Sequence, residues 1–281
     1  MRSLRVVLLM AVLAGCGSRT GLLVDEVEGV GGSGSSTAAG CTDASSMFIY
    51  VVTSGNALYT FNPSNDAFVR IGTIGCVPSG ADAFSMAVSR GGTAYVLFND
   101  GEIFAVSTAD ASCAGTPFQP NPPGFDLRFG MGFASNTPLD GETLYVAGYQ
   151  QPQLGSIDTT TFAFRGIGSA PAGAELTGAA SGVLYAFFAT PTDLSTTQIV
   201  PLDKTTGGES GPGWTLPLPR GGGWAFAYWG GAFYTFTGEG PATMQTTAVR
   251  RFDPNTQRIN VLAHFDQLVV GAGVSTCAAG P

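Results

Sequence analysis

The chain has 281 residues, 44% of them hydrophobic and only 11% charged, with 41 glycines and 17 prolines. Its formal net charge is −8 and Lys204 is its sole lysine, so it lacks the clustered Lys/Arg that neutralise phosphates, and nucleic acid is excluded as an expected partner. Few charges and many turn formers suit an all-β domain, a class in which about 200–250 residues form one unit.

Residues 1–15 (MRSLRVVLLMAVLAG) place Arg2 and Arg5 before an apolar run, Val6 to Leu13, that is too short to span a bilayer. The run closes on Leu13-Ala14-Gly15-Cys16, which resembles the bacterial lipobox. That resemblance implies cleavage before Cys16, lipidation of its thiol, and a membrane-tethered protein outside the cytoplasm in the bacterial cell envelope. Gly17 follows the cysteine where an Asp would mark inner-membrane retention, so the outer membrane is expected. Loss of the leader removes two of twelve bases and leaves ten against twenty acids, a net charge of −10. Residues 16–40 (CGSRTGLLVDEVEGVGGSGSSTAAG) form the lipidated N-terminus and a Gly/Ser-rich flexible linker. A single domain is expected over residues 41–281.

Within that domain, apolar segments recur in a fixed order. IYVVT (49–53), LYTFN (58–62) and AFVRIG (67–72) come first, then SMAVS (85–89), AYVLF (94–98) and IFAVS (103–107). GMGFAS (130–135), LYVAG (144–148), LGSID (154–158) and FAFRGIG (162–168) follow, then TGAAS (177–181), LYAFF (184–188) and IVPLD (199–203). AFAYW (225–229), FYTFT (233–237), VRRFD (249–253) and RINVL (258–262) make the fifth group, and GAGVS (271–275) stands alone at the end. In the Ala/Gly-rich segments Met86, Met131, Gly178, Phe226 and Ala272 are spaced by 45, 47, 48 and 46. Tyr50, Tyr95, Tyr145, Tyr185 and Tyr234 make a second column, spaced by 45, 50, 40 and 49. Asn62, Ser107, Asp158, Asp203 and Asp253 make a third.

Such a period, with about four short β-rich segments per unit, is that of propeller blades. The chain resembles five-bladed β-propellers, and more narrowly bacterial lipoproteins of that type. The resemblance covers residues 41–278 and implies four-stranded blades. The C-terminal strand 271–275 joins the N-terminal blade and closes the ring. A six-bladed ring with one degenerate blade, or a β-sandwich, is the alternative. The Ala/Gly-rich strands are expected innermost, with Ala87, Gly132, Ala179, Ala227 and Gly273 crowding a narrow axis.

Five cysteines leave four once Cys16 takes the lipid, and four allow three pairings. Cys41 opens the domain and Cys277 nearly closes it, so a Cys41–Cys277 bond at the ring seam is expected, with Cys76–Cys113 as the second. No CxxC pair occurs and the single histidine, His264, lies far from any cysteine, so no metal site and no cofactor are expected.

Asp158, Asp203 and Asp253 each end a strand and start a hairpin, where an Asp side chain accepts backbone amides two residues on. They are read as turn residues rather than Ca²⁺ ligands, which need six to eight oxygens per ion. Several five-bladed families are glycosidases with paired inner-strand acids, and that chemistry needs two carboxyls about one bond. Here the inner strands are expected to carry none, with Glu175 just before one. The loops entering the inner strands (76–84, 119–129, 168–175, 216–223 and 263–269) should gather on one face. Their charged members Asp82, Asp126, Arg128, Glu175 and Arg220, with Trp224 at a strand end, form the candidate binding site. In the stretch WAFAYWGGAFYTF (224–236), inter-blade packing is favoured over a carbohydrate-stacking surface, with Trp224 and Trp229 expected to be exposed. No catalytic residues are assigned. The expected function is a monomeric, membrane-tethered binding or scaffolding module for a protein or carbohydrate ligand. The alternative is a glycan-acting hydrolase or lyase using loop carboxylates.

Overall fold

A computed structural model of the chain describes residues 47–278 apart from 78, 137–140, 191, 220 and 242. The leader, Cys16, the linker, Cys41 and Arg220 lie outside those residues. Among the described residues there are twenty strands and no helix.

The strands form five four-stranded antiparallel sheets. Blade 1 holds β1 (Ile49–Thr53), β2 (Ala57–Asn62) and β3 (Ala67–Thr73), and blade 2 holds β4 (Ala83–Val88), β5 (Thr93–Phe98), β6 (Ile103–Ser107) and β7 (Cys113–Gly115). Blade 3 holds β8 (Phe129–Ser135), β9 (Glu142–Gly148), β10 (Leu154–Ile157) and β11 (Phe164–Gly168). Blade 4 holds β12 (Glu175–Gly178), β13 (Leu184–Thr190), β14 (Asp193–Leu202) and β15 (Trp214–Leu216). Blade 5 holds β16 (Trp224–Trp229), β17 (Ala232–Glu239), β18 (Thr246–Asp253) and β19 (Arg258–Phe265). β20 (Val269–Gly273) pairs with β1 as the innermost strand of blade 1. The chain is therefore a five-bladed β-propeller closed by its C-terminal strand, and neither a six-bladed ring nor a sandwich. Closure leaves only short outer edges, the protection that radial repetition provides.

Two local devices repeat five times. The first is the turn after each third strand. The amides of Asp66, Ala111, Phe162, Gly207 and Gln257 donate to the carbonyls of Asn62, Ser107, Asp158, Asp203 and Asp253 at 2.7–2.9 Å. Each donor residue is left-handed, with φ between +55° and +81°. The side-chain oxygens of Asn62, Asp158, Asp203 and Asp253 accept the amide two residues on at 2.7–2.9 Å. The amide bonds hold the Asp158 carboxyl below its ordinary range, and hydrogen bonds do the same for Asp203 and Asp253. These acids build turns.

The second device is a tyrosine over the inner strand, opposite a glycine or alanine in four blades and a threonine in blade 4. Tyr50 pairs across the ladder with Gly273, Tyr95 with Ala87, Tyr145 with Gly132, Tyr185 with Thr177 and Tyr234 with Ala227. Burial raises the pKa of all five phenols. The register corrects the sequence alignment in blade 4: Thr177, not Ala179, occupies the position of Ala87. The same frame sets Ser85, Gly130, Glu175, Ala225 and Gly271 in one layer, two residues earlier.

Small residues here serve the approach of neighbouring inner strands more than clearance of the axis. A Cβ on Gly132 would lie 2.5 Å from the Leu176 carbonyl, on Gly178 2.1 Å from the Phe133 oxygen, and on Gly273 2.7 Å from the Val88 amide. Away from the axis the gaps fill with side chains. Each pair of adjacent blades encloses one apolar cluster, as with Met86, Val96 and Phe98 against Tyr50, Val52 and Leu58. Cys76 and Cys113 are bonded, with Cα atoms 5.9 Å apart, tying the segment between blades 1 and 2 to the outer strand of blade 2. Cys277 is also disulfide-bonded. The expected partner, Cys41, lies outside the described residues.

Candidate functional site

The segments that enter the inner strands converge at one mouth of the axis. They enclose a cavity of about 110 Å³ lined by Ala83, Phe84, Tyr149, Glu175, Gly221, Gly222, Gly223, Trp224 and Val270. Phe84, Glu175, Trp224 and Val270 all stand within the first two residues of β4, β12, β16 and β20. Tyr149 comes from the bend after β9.

Glu175 is the first correction to the sequence reading. It belongs to innermost strand β12, pairing with Phe187, and is only 5% exposed. Aligning Ala179 rather than Thr177 with Ala87 sets it outside that strand, and the register of Thr177 with Tyr185 brings it in. The Ser85 hydroxyl lies 2.8 Å from Glu175 Oε2, reaching from blade 2 to blade 4, and the Met131 amide of blade 3 donates to Ser85 Oγ at 3.0 Å. Burial pushes the Glu175 carboxyl well above the ordinary range, against the opposing pull of the Ser85 hydroxyl and the Met131 amide. Burial disfavours the charged form, and among the described residues no cation stands beside it to offset that cost.

Arg128 and Asp126 are separated by function. Asp126 Oδ2 accepts the amides of Gln150 and Gln151 at 2.6 and 2.8 Å, fixing the bend that carries Tyr149. The Arg128 guanidinium lies 5.2 Å from the Phe84 ring centroid and 5.1 Å from that of Tyr149. Those rings meet at 88° with centroids 5.2 Å apart, so the guanidinium fills a right-angled aromatic corner. Each cation–π contact contributes about 0.5–1 kcal/mol.

Asp82 is exposed and does not line the cavity, and Arg220 falls outside the described residues. Trp224 and Trp229 are not the exposed pair expected. Trp224 is 9% exposed and packs on Phe187 at 6.4 Å while lining the cavity, and Trp229 is half-buried against Tyr234. Phe226 and Tyr228 pack toward blade 4 as inter-blade core. His264 is exposed on β19, with Nδ1 3.7 Å from Glu239.

A buried ion cluster that the sequence reading missed closes the opposite end, where the inner strands finish. Arg90 follows β4, Ser135 ends β8 and Thr276 follows β20. Arg90 Nε donates to Thr276 Oγ1 at 2.8 Å and Nη2 to Ser135 Oγ at 2.7 Å. Glu142 accepts the Arg90 amide at 2.7 Å through Oε1 and the Thr276 hydroxyl at 2.7 Å through Oε2. Burial outweighs these bonds and the nearby guanidinium, leaving the Glu142 pKa raised. The cluster joins blades 1, 2 and 3 beside the ring seam.

Comparisons with known proteins add little to this geometry. No protein-family model matches the chain, and no curated protein matches it. A chain in the crystal structure of the mitotic checkpoint complex is similar at 10% identity and a TM-score of 0.45, over 85% of this chain and 84% of that one. At that level the blade count rests on the strand order of this chain alone.

Proposed function

We propose that the protein is a binding module of the bacterial cell envelope, tethered outside the cytoplasm by lipid on Cys16 and holding its ligand at the axial mouth without chemical turnover. The observation that carries this reading is the make-up of the mouth. Its cavity is walled by Phe84, Tyr149, Trp224 and Val270, and the one lining carboxyl among the described residues, Glu175, is buried and hydrogen-bonded to Ser85. Glycoside hydrolysis uses two carboxyls flanking one bond, and Asp126, an acid of the entering loops, is occupied by two backbone amides. A preformed, mostly apolar concavity with few polar groups suits a ligand site. The Cys76–Cys113 bond supports an oxidising compartment, and the Leu13-Ala14-Gly15-Cys16 tetrapeptide supports the lipid anchor.

The test pairs binding with turnover. The full chain, purified in detergent, is screened against glycans and short peptides by thermal shift, and every stabilising compound is assayed for conversion. The expected result is a ligand recovered unchanged, whose effect is lost when Val270→Trp fills the cavity. Catalytic conversion that disappears in Glu175→Gln would overturn the reading in favour of an enzyme. Metabolic labelling with palmitate, abolished by Cys16→Ser, tests the anchor.

A further inference from the structure

We propose that Arg128, held in the corner of Phe84 and Tyr149, is an anion-recognition residue, and that the cavity takes a small carboxylate whose apolar body lies between Phe84, Trp224 and Val270. The inference rests on the binding reading above and names the chemistry of its ligand.

Three observations point to it. First, among the described residues the Arg128 guanidinium has no acid within ion-pair distance and no hydrogen-bond acceptor. It is half-buried, in a chain with twenty acids against twelve bases. Among the described residues none of its five N–H donors meets an acceptor. The acid two residues before it, Asp126, is drawn away by the amides of Gln150 and Gln151.

Second, the two rings hold the guanidinium by cation–π contact rather than by hydrogen bonds to its N–H groups, and paired guanidinium N–H groups make the parallel N–H···O bonds a carboxylate accepts. Arg128 does not itself line the cavity, but both rings that hold it do, so a carboxylate on Arg128 lies beside the cavity wall.

Third, the carboxyl that lines the cavity, Glu175, is buried and hydrogen-bonded, which disfavours its charged form. Glu175 shares a proton-bearing contact with Ser85 at 2.8 Å, and the Met131 amide already donates to Ser85. With the carboxyl neutral, the pair holds two O–H groups and satisfies only one internally. The second is a donor for an uncharged acceptor or for the carboxylate itself. An ionised Glu175 would repel the ligand, and burial disfavours that form.

The probes are benzoate and its neutral counterpart benzamide, titrated into the full chain and followed by saturation-transfer NMR. A peptide ending in Phe is added with a free or an amidated C-terminus. Benzoate is expected to bind about tenfold or more tightly than benzamide, a difference of about 1.4 kcal/mol. That preference should vanish in Arg128→Gln and weaken in Arg128→Lys, which keeps the charge but loses the fork. Unchanged melting curves for both variants exclude misfolding, and the wild-type comparison of benzoate with benzamide needs no variant. Binding of benzoate supports a free small acid as the ligand. Binding of only the free-ended peptide supports a chain terminus, with the same carboxylate chemistry. Equal binding of benzoate and benzamide, or retained preference in Arg128→Gln, overturns the proposal while leaving the binding-module reading standing. No binding by any carboxylate probe overturns it as well.

Discussion

Replacing Glu175 with Gln tests the buried acid directly through the pH dependence of stability. In the unfolded chain this carboxyl ionises near pH 4.3, the ordinary value for glutamate. In the fold it lies in β12, 5% exposed, with Ser85 as its polar partner and no cation beside it among the described residues, and its pKa is raised well above the ordinary range. Between those two values the folded state carries one proton that the unfolded state lacks. The slope of unfolding free energy with pH is proportional to protons bound in the unfolded state minus those bound in the folded state, so here it is negative. The wild-type protein therefore loses stability as pH rises from about 4.3 toward the folded pKa, by up to about 1.4 kcal/mol per pH unit. Glutamine has nearly the same shape and no titration, and so escapes this loss. Inside that window the variant gains steadily on wild type as pH rises. Other groups titrate too, including the lowered Asp158, Asp203 and Asp253, whose stabilising effect is lost as pH falls. They are common to both proteins and cancel in the difference. Urea unfolding followed by tryptophan fluorescence at pH 4.5, 5.5, 6.5 and 7.5 measures it. A difference that stays constant across this series would refute the reasoning, because Glu175 would then carry the same charge folded and unfolded.

Arg90→Met removes a guanidinium that serves Thr276 and Ser135 and leaves Glu142 with a buried, weakly compensated charge. A loss of about 3–5 kcal/mol is expected in urea unfolding, with part recovered in the Arg90→Met/Glu142→Gln double variant. Gly132→Ala puts a Cβ 2.5 Å from the Leu176 carbonyl and 2.8 Å from Leu176 Cβ, so a loss of about 1–3 kcal/mol or more is expected by the same measurement. The Cys76–Cys113 bond closes a separation of 37 residues. Its removal as a double alanine variant should cost about 4 kcal/mol in the chain-entropy account, a fall of roughly 8–16 °C in Tm for a domain of this size. Gln257 is exposed and left-handed at φ +55°; Gln257→Gly should hold or raise Tm by relieving that conformation, and a clear fall would refute the strain.

Much of the fold is legible because its two repeating devices are local. A turn after Asn62, Ser107, Asp158, Asp203 and Asp253 depends on residues within four positions, so its sequence trace survives in every blade. The tyrosine column is nearly as clear, because a ring over the inner strand demands a small residue opposite, met by Gly273, Ala87, Gly132 and Ala227. Blade 4 breaks the pattern with Thr177 opposite Tyr185. Alanine and glycine two residues further on drew the alignment to Ala179 instead. The error kept the strand's facing intact, since strand periodicity is two, but it moved Glu175 out of the strand. The expectation of acid-free inner strands followed from that slip.

The polar contacts at the two ends of the axis are illegible for a different reason. Ser85 and Glu175 are 90 residues apart, and Arg90 and Thr276 are 186 apart. Neither pair shows periodicity, because each occurs once in the ring. Yet the corrected column contains a usable signal. At the layer nearest the mouth, four blades carry Ser85, Gly130, Ala225 and Gly271, and only blade 4 carries a long side chain. Five equivalent positions converge where a ring of blades is narrowest, so four small residues leave room for one large one. An acid that fills this room is surrounded by inner-strand backbone and apolar walls, which is why it is driven toward its neutral form and takes the Ser85 hydroxyl two blades away. The asymmetry that makes Glu175 stand out in its column is thus the same asymmetry that shapes the cavity, beside the corner of Phe84 and Tyr149 that holds Arg128.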